Sequence, residues 1–516
     1  MASSGRTVAN RPIAATAVAF AGWVIFATYL LVQANAGPLI AWNDSKSYAA
    51  MAVAPLGSHA LWWGQRPPML PLLIKAFGSD GGLLTAQAVI GALSWGVLAW
   101  TVGRLVEPGW RRATATWLVL GFATALPITV WNRSMLSESL SMSLLALVVA
   151  GLIGTARRAT WPRVAATAAA ALCFATTRDA QAWTVAMLGM ALAVLVLAPT
   201  WTTPRAAVRA GTLAGCLLVV AGVAGWGSLV SHRTTANVAD VFYVRVFPFP
   251  SRVAWFAGHG MPEQQLIDRE ATATRAAPGS AKVVYLPPGD PAFGAVEHWL
   301  GTDGPSAYVR WLGTHPWYVM TEPLLRPERS YNFAHGSLTF YAGPDDMASP
   351  LTPLVWPPLA ELAVLAAGAG YLAFRRRAWH LAPWRMMAVV AAVGLPAMLI
   401  AWHGDGQEVT RHTVEGFAQV RLGIWLLIVY GLLVRRSERD RGRPVASAPG
   451  AAGSGDADPA PGAGSEPAPP HRAPREPAGA RPELAGATPA DRARPAFADR
   501  ARPAFAANLG RQQRRP

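Results

Sequence analysis

The chain has 516 residues, 52% of them hydrophobic and 14% charged, with a formal net charge of +16 at pH 7. Apolar runs near the ~20 residues that cross a bilayer recur along it, which excludes a soluble globular protein and defines an all-α polytopic membrane protein. The basic residues stand mostly between these runs and near the C-terminus, so the positive-inside pattern explains the charge more simply than nucleic-acid binding does.

The first element is "RTVANRPIAATAVAFAGWVIFATYLLVQANA". It has the basic start, apolar stretch and small-x-small ending (Ala34-Asn35-Ala36) of a signal peptide. Its apolar core of roughly twenty residues exceeds the usual signal length, so it reads as a retained first span. About ten spans are expected, at 12–34, 82–103, 113–131, 136–156, 164–181, 182–200, 210–230, 351–374, 386–403 and 419–435. With the N-terminus inside, the connections carrying Arg104, Arg111, Arg112, then Arg157, Arg158, Arg163, then Arg205, Arg209, and finally Arg375, Arg376, Arg377, Arg385 all become cytoplasmic. Arg435 and Arg436 place the C-terminus on that side too. The expected location is the plasma membrane.

The connections on the other side hold the polar residues that this rule does not explain. "NDSKSY", "QRPP", "WNRSMLSES", "TTRDAQAW" and "WHGDGQEVTRH" bring Asp44, Arg66, Arg133, Glu138, Arg178, Asp179, Asp405, Glu408, Arg411 and His412 to one expected face. Ionisable groups at the rim of apolar helices are costly unless paired or wetted, and so mark a functional site by default. Each has a plainer reading as a solvated loop end. Asp44 is either a functional carboxylate or a helix cap beside Lys46, and Glu138 either acts on substrate or only favours a helix N-terminus. Arg66 equally fits a snorkelling interfacial arginine, and Tyr48 an interfacial tyrosine.

Four regions follow: a membrane module at 1–230 with its first external loop at 35–81, an extracytoplasmic segment at 231–350, C-terminal spans at 351–435 and a disordered cytoplasmic tail at 436–516. In the external segment short apolar-aromatic pieces such as "DVFYVRVFPF" and "AKVVYLPP" alternate with Gly and Pro, giving a small mixed unit that serves as lid or recognition element. "SAYVRWLGTHPWYVM" reads as an amphipathic helix on the membrane, with Trp311 and Trp317 at the interface. The tail is rich in Pro, Ala, Gly and Arg and repeats "DRARPAFADRARPAFA", a composition unable to bury enough apolar surface to fold.

No Walker loop, HExxH or CxxC pattern is present, and the two cysteines, Cys173 and Cys216, fall within apolar runs. His403, Asp405, Glu408 and His412 offer donors for a divalent metal, though not at a closed zinc spacing. These patterns identify no cofactor, and a divalent metal is left open. Lysine occurs only at Lys46, Lys75 and Lys282, and this arginine, alanine and glycine bias fits a high-GC bacterial, actinobacterial, coding sequence.

Asp44-Ser45-Lys46-Ser47-Tyr48 directly after the first span, then Arg66-Pro67-Pro68-Met69-Leu70-Pro71-Leu72, resembles the GT-C-type membrane glycosyltransferases. "SMLSESLSMSLLAL" and "TTRDAQAW" match further elements of that superfamily, and "HGDGQEVTRHTVEGFAQVRLG" matches more loosely. Many members carry a second acidic residue beside the first, where this chain has Asn43. The resemblance covers roughly residues 12–200 and implies transfer of a sugar from a polyprenyl-phosphate carrier to an extracytoplasmic glycan, lipid or protein acceptor. It casts Asp44 as general base with inversion at the anomeric carbon. Arg66, Arg133 and Arg178 would hold the donor phosphate. Tyr48, Glu138, Asp179, Arg411, His412 and Arg421 would contact or orient substrate. The competing reading is a non-enzymatic transporter or flippase of a lipid-linked glycan, which also needs arginines at a membrane rim.

Overall fold

The computed structural model describes residues 11–78, 80–197, 203–231, 233–247, 249–262, 291–325, 350–356, 359–376, 380–404 and 409–434. Among them the protein is helical, with no β-strand and one isolated parallel bridge between Ile40 and Ser134. The helices are α1 (Arg11–Asn35), α2 (Asn43–Ala52), α3 (His59–Trp62), α4 (Met69–Phe77), α5 (Gly81–Gly103), α6 (Trp110–Ala123) and α7 (Leu126–Thr129). A 3₁₀ turn at Val130–Arg133 leads into α8 (Glu138–Arg157), α9 (Trp161–Ala175), α10 (Asp179–Leu197) and α11 (Pro204–Val230). Then come α12 (Arg233–Val241), a π-turn at Phe242–Val246, α13 (Pro250–Ala257), α14 (Pro291–Thr302), α15 (Gly304–Thr314) and α16 (Pro316–Leu325). The last four are α17 (Thr352–Val355), α18 (Leu359–Arg376), α19 (Ala382–Gly404) and α20 (Val409–Leu433).

Seven of these helices are long and apolar enough to cross a membrane: α1, α5, α8, α10, α11, α19 and α20. Counting α6 and the α7–3₁₀ unit as one span bent by 62° makes eight, so the protein is a multi-pass membrane protein. Two of the ten expected spans fall short. The 15 residues of α9 rise only about 22 Å, less than the ~30 Å hydrocarbon thickness. The 18 residues of α18 include Glu361, Arg375 and Arg376. Outward faces are apolar, as lipid contact requires: Phe20, Ile25, Val97, Val194, Val219 and Phe374 are all exposed.

Most of the long helices share one apolar core that runs from Phe26 and Leu30 to Leu426 and Tyr430. The pair α19–α20 packs backbone to backbone. A methyl group on Gly394 would come within 2.7 Å of Val420 N, one on Gly416 within 2.7 Å of Met398 N, and one on Gly423 within 2.5 Å of Ala391 N. Small residues at these positions allow the close approach that membrane helices use in place of a hydrophobic driving force.

The bend after α6 has a local cause. Pro127 in the first turn of α7 lacks an amide hydrogen and prevents α6 from continuing. The chain instead turns back through Val130–Arg133, and residues 40–45 lie against the segment that follows. Ile40 N donates to Arg133 O at 2.8 Å, Met135 N to Ile40 O at 3.1 Å, and Ser45 Oγ to Met135 O at 2.9 Å. The first loop is thereby held against the start of α8.

The described residues of 231–350 pack around a separate aromatic core of Phe242, Phe256, Trp299, Tyr308 and Trp311. "DVFYVRVF" is helical: it closes α12 and forms the π-turn, and Phe242 and Phe247 pack into this core. Trp311 is buried in the same core, whereas Trp317 is 79% exposed. "AKVVYLPP" and the 436–516 tail lie outside the described residues.

A leucine at Gly416 or Gly423 is expected to force α19 and α20 apart and to lower the melting temperature in detergent by several degrees. Gly215→Leu, on an open face of α11, is expected to leave it within a degree or two. Equal melting of all three variants would show that the close approach contributes little.

Candidate functional site

Four helix starts at one end of the bundle supply the site, those of α2, α8, α10 and α20, together with the α3–α4 connection. Asp44 in the first turn of α2 is held by two guanidiniums, Arg66 Nη2 at 2.5 Å from Oδ1 and Arg411 Nη2 at 2.6 Å from Oδ2. Arg411 Nε lies 2.7 Å from Glu138 Oε1, an ion pair without hydrogen-bond alignment. Arg178 Nη1 then bridges Glu138 Oε1 at 3.0 Å and Glu415 Oε1 at 3.1 Å. Its Nη2 meets His412 Nδ1, and Gln181 Nε2 donates to the other oxygen of Glu415. Three carboxylates and three guanidiniums thus alternate from the rim inward.

The outer end of this chain is part-exposed and the rest is buried. The side chains of Arg66 and Asp44 are 33% and 21% exposed, those of Arg411 and Glu138 4% and 0%. Burial alone would raise the Asp44 carboxyl, but Arg411 and then Arg66 outweigh it and hold the group below its ordinary 3.8. Asp44 is therefore ionised at neutral pH, and the stability its pairing contributes is present above the ordinary aspartate range and lost as pH falls through the depressed value. Arg178 stays charged, because Glu415 and Glu138 more than offset the cost of its burial.

The local sequence sets these positions. Ser45 Oγ accepts from Trp42 N at 2.9 Å and so starts α2 one residue before Asp44. Lys75 Nζ donates to the carbonyls of Ala52 and Ala54 at 2.9 and 2.8 Å, closing the C-terminal end of α2 with a cation. Arg66 is steered by Ser47 Oγ, 2.8 Å from its Nε, and its guanidinium sits 5.6 Å from the centre of the Tyr48 ring.

Of the residues named from sequence, Asp44, Arg66, Glu138, Arg178, Arg411 and His412 meet in this network. Tyr48 is buried beneath Arg66, with its hydroxyl 3.3 Å from Ser137 Oγ, so it supports the arginine and does not present an open ring. Burial raises its phenol and keeps it protonated. Arg133 is buried behind the loop, where its Nη2 reaches Pro38 O at 3.4 Å. Asp179 belongs to a different contact: it accepts from Arg233 Nε and Nη2 at 2.9–3.1 Å, while Arg233 Nη1 donates to Gly64 O at 2.9 Å. That pair ties the start of α10 to α12 and to the first loop. Arg421 is ten residues, about 15 Å of helix, beyond Arg411 and lies over the rings of Trp356 and Phe417.

Sequence reasoning passed over Glu415 and Gln181. The signal was helical spacing: Glu415 stands four residues after Arg411 and three after His412, and Gln181 three after Arg178. Beneath the network Gln181, Thr184, His412, Glu415 and Gln419 line a small cavity between α8, α10, α19 and α20. Among the described residues no group of three or more His, Cys, Asp or Glu side chains is disposed to hold a metal ion. His403 faces Val319 O at 3.0 Å, and Asp405 and Glu408 lie outside the described residues. The chain matches no protein-family model and no curated protein, so its functional reading rests on the chemistry of the site.

Removing Arg178 leaves two buried carboxylates facing one another. Arg178→Met is expected to cost about 3–5 kcal/mol, seen as early melting in detergent, and the double change Arg178→Met with Glu415→Gln to regain part of it. No recovery in the double variant would place the cost elsewhere than in the Glu138–Arg178–Glu415 contact.

Proposed function

We propose that the chain is an integral membrane glycosyltransferase that moves a sugar from a polyprenyl-phosphate carrier to an acceptor outside the cytoplasm. The observation that carries this reading is the junction of Asp44 and Arg66: a carboxylate and a guanidinium at the half-exposed edge of a buried ionic network. Catalysis of glycosyl transfer from a phosphate carrier needs one group to take the acceptor proton and another to stabilise the charge on the leaving phosphate.

Arg66 supplies the second. It is the more exposed partner of Asp44 and can exchange a carboxylate for a phosphate with little loss of hydrogen bonding. As it turns to the donor, Asp44 Oδ1 is released to accept the acceptor hydroxyl's proton, while Arg411 keeps Oδ2 in place. The acceptor oxygen forms its bond to the anomeric carbon as the carbon–phosphate oxygen bond breaks. The lipid phosphate leaves against Arg66, and a single displacement inverts the anomeric centre. Glu138, Arg178 and Glu415 hold Arg411 in position. On this reading all ten helical segments sit in or on the plasma membrane, with the site outside and both termini in the cytoplasm.

The cavity lined by Gln181, Thr184, Glu415 and Gln419 favours a second reading, a transporter or flippase of a lipid-linked glycan, because polar groups inside a helix bundle also line transport paths. Turnover separates the two. With radiolabelled polyprenyl-phosphate sugars and an envelope extract as acceptor, the native protein is expected to strip sugar from the lipid. Asp44→Asn is expected to slow this by ~10²–10⁴-fold while still binding the lipid. Lipid binding without turnover by either protein would favour transport, and equal turnover would remove Asp44 from the chemistry.

The pH profile is a further check. Because Arg411 and Arg66 depress Asp44, the acidic limb of kcat/KM is expected below the ordinary aspartate value of 3.8, and Arg66→Met is expected to move it upward. A limb that stays in place in Arg66→Met would assign it to another group.

A further inference from the structure

A second buried ionic group lies where the described helices of 231–325 meet the end of α19. Arg245, 2% exposed, donates from Nη1 to Glu322 Oε2 at 3.3 Å, and its guanidinium sits 4.6 Å from the centre of the Trp402 ring. Arg252 donates to Glu322 Oε1 at 3.3 Å and to Tyr318 OH at 3.2 Å. Two guanidiniums therefore share one carboxylate, and among the described residues no other carboxylate meets either of them.

The neighbouring donors share this excess. Arg245 Nε and Nη2, Trp402 Nε1 and Tyr308 OH are all buried and have no hydrogen-bond partner among the described residues. Burial, only partly offset by Arg245, raises the Tyr308 phenol and keeps it a donor. Native interiors leave few such groups unpaired, and here every one of the four offers a hydrogen while the group carries a net positive charge. The chemical complement is an anion with several oxygens. Phosphate fits: guanidiniums bind its oxygens through paired N–H groups, and the aromatic surroundings strengthen that attraction by excluding water. Arg252, whose side chain is 17% exposed, marks the approach from the surface.

We propose that Arg245, Arg252, Trp402 and Tyr308 form a phosphate-binding site, separate from the Asp44 network, at the junction of the 231–325 helices with α19. It lies at the end of a membrane-crossing helix, so a lipid head group and a free phosphate are both chemically suited to it. The proposal does not depend on the transferase reading.

The test is the melting temperature of the full-length protein in neutral detergent. One arm titrates inorganic phosphate against sodium chloride at matched ionic strength, and the other compares micelles containing phosphatidic acid with micelles containing phosphatidylcholine. The native protein is expected to be stabilised in at least one arm, because a ligand that binds only the folded state raises its stability. The apparent affinity is expected to fall at least tenfold in Arg245→Met. It is expected to fall severalfold in Trp402→Phe, which keeps the ring and removes one donor, and which carries the test if Arg245→Met does not fold. Arg66→Met is expected to keep the part of the effect that Arg245→Met removes. Stabilisation by phosphatidic acid alone would identify the ligand as a lipid head group, and stabilisation by inorganic phosphate a soluble one. No stabilisation of the native protein in either arm would overturn the proposal. So would an effect that survives in both Arg245→Met and Trp402→Phe, or one lost in Arg66→Met instead.

Discussion

The burial of the Glu138 carboxylate is the constraint on which the rest of the site depends. A carboxylate with no exposure to water is tolerated only where cations and donors compensate it closely. Here the compensation comes from Arg411 on one side and Arg178 on the other, so the starts of α8, α10 and α20 must converge. The two guanidiniums then recruit Asp44 and Glu415, which in turn hold Arg66 and Gln181. Three glycines that bring α19 and α20 into backbone contact, and a proline that turns the chain back after α6, are the covalent means of that convergence.

The two buried ionic groups differ in a way that bears on function. The Asp44 network balances three positive against three negative groups, and only its outer end, Asp44 and Arg66, is part-exposed. A balanced network with one loose end is suited to exchanging a partner at that end while the interior stays in place. The Arg245 group is unbalanced, with two guanidiniums to one carboxylate and donors left over. Such an arrangement is suited to holding an external anion. The two groups are therefore suited to different tasks by their charge balance.

The spans were legible because bilayer thickness imposes a length and a polarity on any crossing helix, and both are written in consecutive residues. The positive-inside pattern likewise ordered the connections, and that order brought Asp44, Glu138, Arg178 and Arg411 to one end of the bundle. Pairings between distant positions were not legible. Nothing local distinguishes Asp179, which pairs with Arg233, from Asp44, which pairs with Arg66 and Arg411. Arg133 looked equal to Arg178 and Arg421 was expected at the substrate, yet one is tucked behind a loop and the other lies deep among aromatic rings.

By itself, then, the sequence determined the class of protein, the approximate helices and the end of the bundle where charge collects, because each follows from hydropathy and charge along a short stretch of chain. The tertiary structure decided which carboxylate meets which guanidinium, that Glu415 and Gln181 belong to the site, and that the described part of 231–350 is helical with its own aromatic core. These depend on helix rotation, close backbone approach and burial, which are fixed by packing between segments far apart in the chain.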